Sequence, residues 1–589
     1  YEIHERLVGS EMCIRDRFEG QTYSQELLEY YGLDPYVYSS RDGSEGVMPF
    51  VGYIYSSKVN DVIFILPKVF LFEGDGEIND EKGLLKIAFG KYAINDVTEI
   101  VPEHNPLKVD GLDRVLFELS TWIYRSIDKY SERHPGSEII RRSAIRGVNS
   151  NKGVDSQTLL DTILALLDFH KQHAGLFTYI SIINSSGNNR IHWGKTISKV
   201  QPIIQNNDPF YAEFRNRGKS INYDEELIIL FYSVLEYLRT RFFFPVHANL
   251  NYELIKPSRI DALIESGRGS RLLRSIRRRY FKDELVHLWK LLYAFFDKSE
   301  SVSSGKSREE ALLAGKFDRV FEDMVDSLIS DEIFADLKEN EDGKEIDHIY
   351  KDRSLVDDSQ IYYIGDSKYY FYGSDLEDKS IYKQFTYAKN IIQLNINIFN
   401  TPTCARDKKE CEIVDNVRYR DPLTEGYNPT PNFFVRGYVR AEDLTDGHVC
   451  YTEDRLCENN QIIPVNAHFP NRPFDRDTLV LQAYNINFLF VLASYVSNSD
   501  DTSVKKRLHD RFRTDLLKVY NAKYDFFRVT PTGDVKDFVK AHFEEYIGKM
   551  YHTEGAPFIW FAFDKGTTSL DALRKAFCEE ASVEAVALG

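Results

Sequence analysis

Cysteine is scarce, with six in 589 residues, so a disulfide scaffold is excluded and a reduced, cytoplasmic setting is expected. No apolar run approaches the roughly 18–20 residues of a membrane helix. The longest, Val62–Phe72 and Phe488–Leu492, are strand-like or short, so no membrane partner is expected. The chain has no GxxxxGK[ST] phosphate loop, no GxGxxG fingerprint and no GxSxG elbow. A nucleotide-hydrolysing motor is therefore not written in it, and neither are internal repeats. Positive charge is also short: 74 Lys and Arg stand against 91 Asp and Glu, a formal charge of −17. That balance counts mildly against nucleic acid without excluding it. Phosphate contact needs only a local basic surface, and a metal-dependent site concentrates carboxylates.

What is present points to ordered structure. Hydrophobic residues make up 43% and charged residues 28%, and aromatics reach 14% with 37 Tyr and 39 Phe. The length suits two to four domains. Tyr1–Arg17, YEIHERLVGSEMCIRDR, looks like translated sequencing-adapter read-through and lacks the apolar core of a signal peptide. Residues 1–17 are set aside, Cys13 with them, and the natural chain is expected to enter near Phe18.

The centre of the sequence is Ile361–Ala388, IYYIGDSKYYFYGSDLEDKSIYKQFTYA. Ile361-Tyr362-Tyr363-Ile364 reads as a buried strand. Asp366 and Lys368 follow two residues apart, so in extended chain they share a face roughly 6–7 Å apart. A carboxylate and an ammonium projecting together suit phosphodiester cleavage. The first can hold a divalent metal, and the second can orient water or steady developing negative charge. A lone Asp-X-Lys is more often a solvated turn, so its surroundings must decide. Upstream, Glu345–Tyr350 is another alternating segment, and Asp347 lies nineteen residues before Asp366, room for a turn and an antiparallel return. Lys316–Val325 is a helical pattern carrying Glu322. Downstream, Ser380 is expected to cap a helix through Tyr382, Gln384, Tyr387 and Lys389.

This order, helix with Glu, strand with Asp, strand with Asp-X-Lys, helix with Gln, resembles the PD-(D/E)XK nuclease core. The wording VFEDMV, IDHIY, IYYIGDSKYY and SIYKQFTYAKN is most similar to the McrC-like, LlaJI-type restriction endonucleases. The resemblance implies an α/β fold and a Mg²⁺ site on Glu322, Asp347 and Asp366. It further implies Lys368 as catalytic lysine and Gln384 as active-site helper. Double-stranded DNA is the implied substrate, and a separate McrB-like AAA+ GTPase the implied partner. The chain departs from the family where Ile346, not proline, precedes Asp347. Relatives place a tyrosine four residues after the glutamine, whereas here Ala388 stands there and Tyr387 one earlier. Asp352, Asp357 and Asp358 are rivals for the first acid. A second reading keeps the fold but makes the chain a non-catalytic assembly factor that binds and stimulates an AAA+ motor. A third is a nuclease acting on RNA or on free DNA ends.

The remaining sequence frames this core. Gly111–Tyr130, Gln157–His173 and Asp224–Phe244 are helical by periodicity. His170 and His173 are better explained by a helix end than by metal. Arg190–Thr196, RIHWGKT, is similar to a Trp-X-Lys-Thr segment ahead of the core in the same relatives, with Trp193 read as packing rather than function. Arg271, Arg274, Arg278 and Lys282 fall on one helical face. That stripe suits DNA phosphates, an acidic partner surface or plain solvent. Lys505, Lys506, Arg507, Arg511 and Arg513 form a second basic helix. The Ser-rich segment Asp297–Glu310 marks a boundary, with a helix expected from Arg308 through Glu322. The chain thus divides into an N-terminal mixed region at 18–300, a nuclease core at 308–400 and a C-terminal extension at 401–589 with a loop-rich insertion. Cys404/Cys411 and Cys450/Cys457, with His448 near, are spaced too widely for the usual structural zinc and stand as free cysteines or a zinc site.

Overall fold

The structure, a computed structural model, describes residues 15–40, 43–56, 58, 61–73, 86–89, 92–93, 112–143, 158–173, 176, 178–185, 190–242, 246, 249, 251–303, 310–338, 345–370, 378–414, 417–439, 457–463, 469–497 and 502–589. It is a mixed α/β chain. Among the described residues no helix is long and apolar enough to cross a membrane.

The first layer is a five-stranded sheet in the order Arg15–Phe18, Asp61–Leu66, Val51–Ser56, Glu310–Ala314, Ile140–Ser143. Val51–Ser56 is buried at every position, as a central strand should be. Gly52 sits at φ +143°, and a Cβ there would meet the Leu312 carbonyl oxygen at 2.1 Å, so only glycine permits this approach. Pro67 ends the Asp61–Leu66 strand as expected, and Leu71–Glu73 resumes after one 3₁₀ turn. Helices Leu112–Arg133, Leu159–Gln172 and Glu226–Phe242 form where the periodicity places them.

Three expectations change here. Arg15–Arg17, set aside with the first residues, lie in the edge strand, and Arg17 is buried beneath the rings of Tyr23 and Tyr31. The helix expected from Arg308 begins only at Phe317. Glu310–Ala314 is a fully buried strand between two antiparallel neighbours. A short run covered on both faces carries no period that separates strand from helix. Its one acid, Glu310, accepts from Leu159 N at 2.8 and 2.9 Å and from the Tyr53 hydroxyl at 3.0 Å. The Ser-rich segment is helix as far as Ser303, and the first sheet claims the chain again until Ala314.

Two ribbons and the short helix Trp193–Lys199 follow. Tyr179–Asn184 pairs antiparallel with Asn216–Ile221, and Ile203–Gln205 with Asp208–Phe210. Asn206 and Asn207, at φ 54° and 73°, close the second as a two-residue hairpin of the primed kind.

The second layer holds the candidate site. Helix α1 (Phe317–Ile329) leads to strands β1 (His348–Arg353) and β2 (Gln360–Lys368), helix α2 (Asp378–Asn400), then β3 (Thr430–Tyr438), β4 (Cys457–Ile463) and β5 (Leu479–Asn487). Helices α3 (Phe488–Val496) and α4 (Thr502–Lys523) follow. The sheet order is β1-β2-β3-β5-β4, with β2, β3 and β5 parallel and β1 and β4 antiparallel at the edges. Three of these strands come from beyond residue 400, so much of the expected C-terminal extension completes this sheet. The α2 helix begins at Asp378, which places Ser380 inside it rather than at its cap. Phe488 of α3 lies against Phe70 at 5.5 Å and Phe321 at 5.9 Å, joining the two layers in one apolar core. Residues Tyr524–Val586 add a four-stranded antiparallel sheet with two helices and an apolar cluster of its own.

Candidate active site

Strand β2 is buried from Ile361 through Ser367. Its aromatic and β-branched residues are covered by α1 and α2. Gly365 is required at its end: a Cβ there would meet the Phe433 ring at 2.2 Å, and that ring is held by stacking on Phe512 at 4.9 Å. The next residues carry the chemistry. Asp366 and Lys368 fall on one face, and the Lys368 ammonium pairs with the Asp366 carboxylate. Asp366 is buried, and Lys383 of α2 reaches its other oxygen at 4.0 Å.

The antiparallel partner delivers Asp347. His348 of β1 registers with Gly365, so Asp347, one residue before the strand, arrives beside Asp366. Its Oδ2 accepts from Ser367 N at 2.9 Å. Glu322 comes from α1 and accepts from Arg319 Nη1 at 3.0 Å.

Three carboxylates in one poorly solvated place interact. Burial, then the charges of Asp366 and Glu322, push the Asp347 carboxyl up to about 7. Burial likewise pushes Glu322 up to about 7. Arg319 opposes that rise, and Asp318 and Asp366 add to it. With Asp347 and Glu322 both raised, their titrations are linked. The hard oxygen donors of Asp347 and Asp366 suit Mg²⁺, which takes one or two carboxylates and keeps its waters. Among the described residues no three of His, Cys, Asp and Glu gather as a ligand cage.

No protein-family model matches the chain, and no curated protein matches it. Among solved structures it is similar to a refined half-complex from the tetradecameric assembly of Thermococcus gammatolerans McrB AAA+ hexamers with bound McrC. The identity is 10%, the match covers 86% of this chain and 100% of that one, and the TM-score is 0.26. A score that low shows neither a shared fold nor a shared function.

Around the acids runs a ring of hydrogen bonds that motif spacing does not reveal. Ser367, between Asp366 and Lys368, meets buried His348 Nε2 at 2.6 Å, and His348 Nδ1 meets Asp326 Oδ1 at 3.2 Å. Lys338 pairs with Asp326 and donates to the Asp347 carbonyl at 2.9 Å. Burial would raise the Asp326 carboxyl, but His348 and Lys338 hold it well below the usual range. The ring fixes α1, the start of β1 and the end of β2 to one another. Its only sequence signal was His348, one residue past Asp347.

Gln384 is buried and donates from Nε2 to the Ile364 carbonyl at 3.0 Å and to Asn432 Oδ1 at 3.4 Å. It holds the strand two residues ahead of Asp366. The α2 side chain nearest the acid is its neighbour Lys383, which the motif passed over. Of the rival acids, Asp352 lies on β1 and Asp357 and Asp358 in the turn beyond it. Asp357 is taken up by Ser359 and Thr553.

The basic stripe is broken. The helix Arg268–Ile276 ends before a 3₁₀ turn at Arg277–Arg279, so Arg278 and Lys282 do not continue the face of Arg271 and Arg274. Arg271 bonds back to its own helix start, and Arg274 donates to the Tyr293 hydroxyl at 2.7 Å. All four side chains remain exposed. Trp193, read as packing, touches Phe214 edge-on at 5.9 Å and is 54% exposed. His173 stacks on Phe169, Cys404 and Cys411 are exposed free thiols, and Cys450 and His448 lie outside the described residues.

Proposed function

We propose that the chain is a metal-dependent DNA endonuclease subunit with a PD-(D/E)XK site, of a prokaryotic restriction system. One observation carries this reading. Asp366 and Lys368 share a face at the end of a buried strand, and the antiparallel neighbour brings Asp347 to the same place. The succession α1, β1, β2, α2, β3 also supports it. In this reading Asp347 and Asp366 hold Mg²⁺, with Glu322 beside them. The bound ion supplies Lewis acidity at the scissile phosphate and steadies the leaving oxygen. Lys368, now paired with Asp366, gives up that pairing. Its three donors and lack of acceptors then suit the attacking water and the non-bridging phosphate oxygens. Arg319 offsets the charge of Glu322, and the His348–Ser367 bond keeps the strand end from turning.

A separate AAA+ motor is the proposed partner. The chain carries no phosphate loop, and the two ribbons with the short helix Trp193–Lys199 leave Tyr179, Trp193, Ile197, Ile203, Ile204 and Phe210 more than half exposed. A grouping of exposed apolar side chains on small surface elements is the usual mark of a protein contact. The decisive experiment incubates the protein and circular plasmid with Mg²⁺, with and without an AAA+ protein encoded beside it, comparing wild type with Asp366→Ala. Mg²⁺-dependent nicking that Asp366→Ala removes supports the nuclease. Motor stimulation by both proteins, without cleavage by either, favours the assembly-factor reading.

A further inference from the structure

The β1–β2 hairpin has a second end. Beside its turn lies a cavity of about 750 Å³, within the range of small-molecule sites and ample for a mononucleotide. Its walls come from residues 355–360, residues 418–423, Arg513 of α4, and Arg528, Phe558 and Trp560 of the C-terminal sheet. Five residues of β2 lie between cavity-lining Gln360 and Asp366, roughly 20 Å of extended chain, so it is not part of the acidic site.

Four arginines line the cavity, and two are engaged. Arg418 pairs with Glu554, and Arg420 forks onto Glu425 at 2.6–2.9 Å. Of the acids lining the cavity, Asp357, Asp358 and Asp421 pair with no cation among the described residues, and two of them are hydrogen-bonded by neutral groups. Asp421 accepts from the N–H groups of Leu423, Thr424 and His552, and Asp357 from Ser359 and Thr553. Asp358 is exposed. Arg513 and Arg528 have no carboxylate partner among the described residues. Arg513 gives one bond from Nη2 to the Ser354 carbonyl at 3.1 Å. Arg528 lies over the rings of Phe558 and Trp560 at 4.6 and 5.2 Å.

The Nε–H of each of these two arginines is buried without a partner, and so is the indole N–H of Trp560, a side chain 6% exposed. All three are donors with no capacity to accept. Buried polar groups are almost always paired, so three such donors around one cavity call for a ligand rich in acceptors. The guanidinium groups of Arg513 and Arg528 present planar forks shaped for phosphate oxygens. We propose that this cavity binds a small phosphate ester of mononucleotide size, with Arg513, Arg528 and Trp560 holding the phosphate. The proposal does not depend on the nuclease reading.

The test is calorimetric titration of the full chain with AMP, inorganic pyrophosphate and adenosine. Saturable one-to-one binding of AMP and pyrophosphate is expected, with adenosine at least tenfold weaker. Arg513→Gln combined with Arg528→Gln should weaken AMP at least tenfold while circular dichroism shows the fold intact. Trp560→Phe keeps the ring and removes one donor. It should weaken AMP several-fold, and it carries the test if the arginine pair does not fold. The proposal is overturned if AMP and pyrophosphate do not saturate, if adenosine binds as well as AMP, or if no folded variant changes AMP affinity. Binding of a phosphorylated twelve-nucleotide DNA through the same arginines, with none of AMP, also overturns it.

Discussion

The two ends of one hairpin face opposite electrostatic problems. At the Asp366 end, carboxylates crowd together, and Lys368, Lys383 and Arg319 offset them. At the turn end, two arginines and an indole keep N–H groups with nothing to donate to. The same pair of strands supplies rigidity to both. The contrast is instructive: on the proposed readings a cation would relieve the crowded acids at the first end, and an anion would meet the donors left unpaired among the described residues at the second. A folded chain carries such local excess where tertiary structure holds the groups in place, and that is where ligands are expected.

The largest effect should come from removing the acid that both cations reach. Asp366→Ala is expected to abolish plasmid cleavage, by at least the 10²–10³ in rate that one transition-state group contributes. It should also weaken Mn²⁺ binding measured by calorimetry. Wild-type nicking by the folded variant would remove the centre of the nuclease reading and leave the acidic end a structural ion-pair cluster.

Lys368→Ala should cost cleavage comparably yet act on binding in the opposite direction. The lysine cannot ligate a cation while protonated, and its pairing competes with one for Asp366. Mn²⁺ affinity should therefore hold or rise while turnover falls. Loss of both together would mean that Lys368 positions the acid instead of serving the phosphate.

Much of the acidic end was legible in the sequence. Asp-X-Lys after an apolar run fixes two side chains on one face, and a turn-length gap brings Asp347 alongside. The Asp326–His348–Ser367–Lys338 ring was not legible, because it joins a helix, a loop and two strands with no common spacing. Glu310–Ala314 misled, since a strand covered on both faces carries no alternation. The turn-end cavity was illegible for a related reason. Arg513, Arg528 and Trp560 come from three elements, and their lack of partners is a property of packing alone.

A smaller and graded effect is expected from pH. Asp347 and Glu322 are raised to about 7 in the fold, against ordinary values near 4 in the unfolded chain. An acid raised in this way contributes stability fully present below the unfolded value and lost as pH climbs through 7. In EDTA the unfolding temperature should fall between pH 5 and pH 8. Mg²⁺ should flatten that fall, because binding displaces the proton that a raised acid holds, and its affinity should grow with pH up to about 7. Glu310, also pushed up to about 7 by burial, contributes to the fall with or without Mg²⁺. The difference between the two calorimetric series therefore reports on the site. A Mg²⁺ effect independent of pH would show that Asp347 and Glu322 do not meet the ion.

The smallest effect concerns exposed arginines, which sharpen the contrast with the buried pair at the turn end. Arg513 and Arg528 are held in a cavity without a carboxylate partner; Arg271, Arg274 and Arg278 are solvated, and two of them already bond within their own neighbourhood. Solvated charge serves a diffuse polyanion better than a discrete ligand. If these three neutralise DNA phosphates, changing all to Gln should flatten the slope of log K against log salt by roughly 0.9 for each phosphate no longer neutralised. The broken helix limits this, since Arg278 lies on the 3₁₀ turn beyond Ile276 and off the shared face. The number of phosphates given up is therefore nearer two than three, a slope change of roughly 1.8. Fluorescence anisotropy with a labelled duplex across a salt series reads it directly. An unchanged slope in a variant that no longer associates with the AAA+ protein would assign the stripe to the partner, and AMP binding at the turn end should be indifferent to all three substitutions.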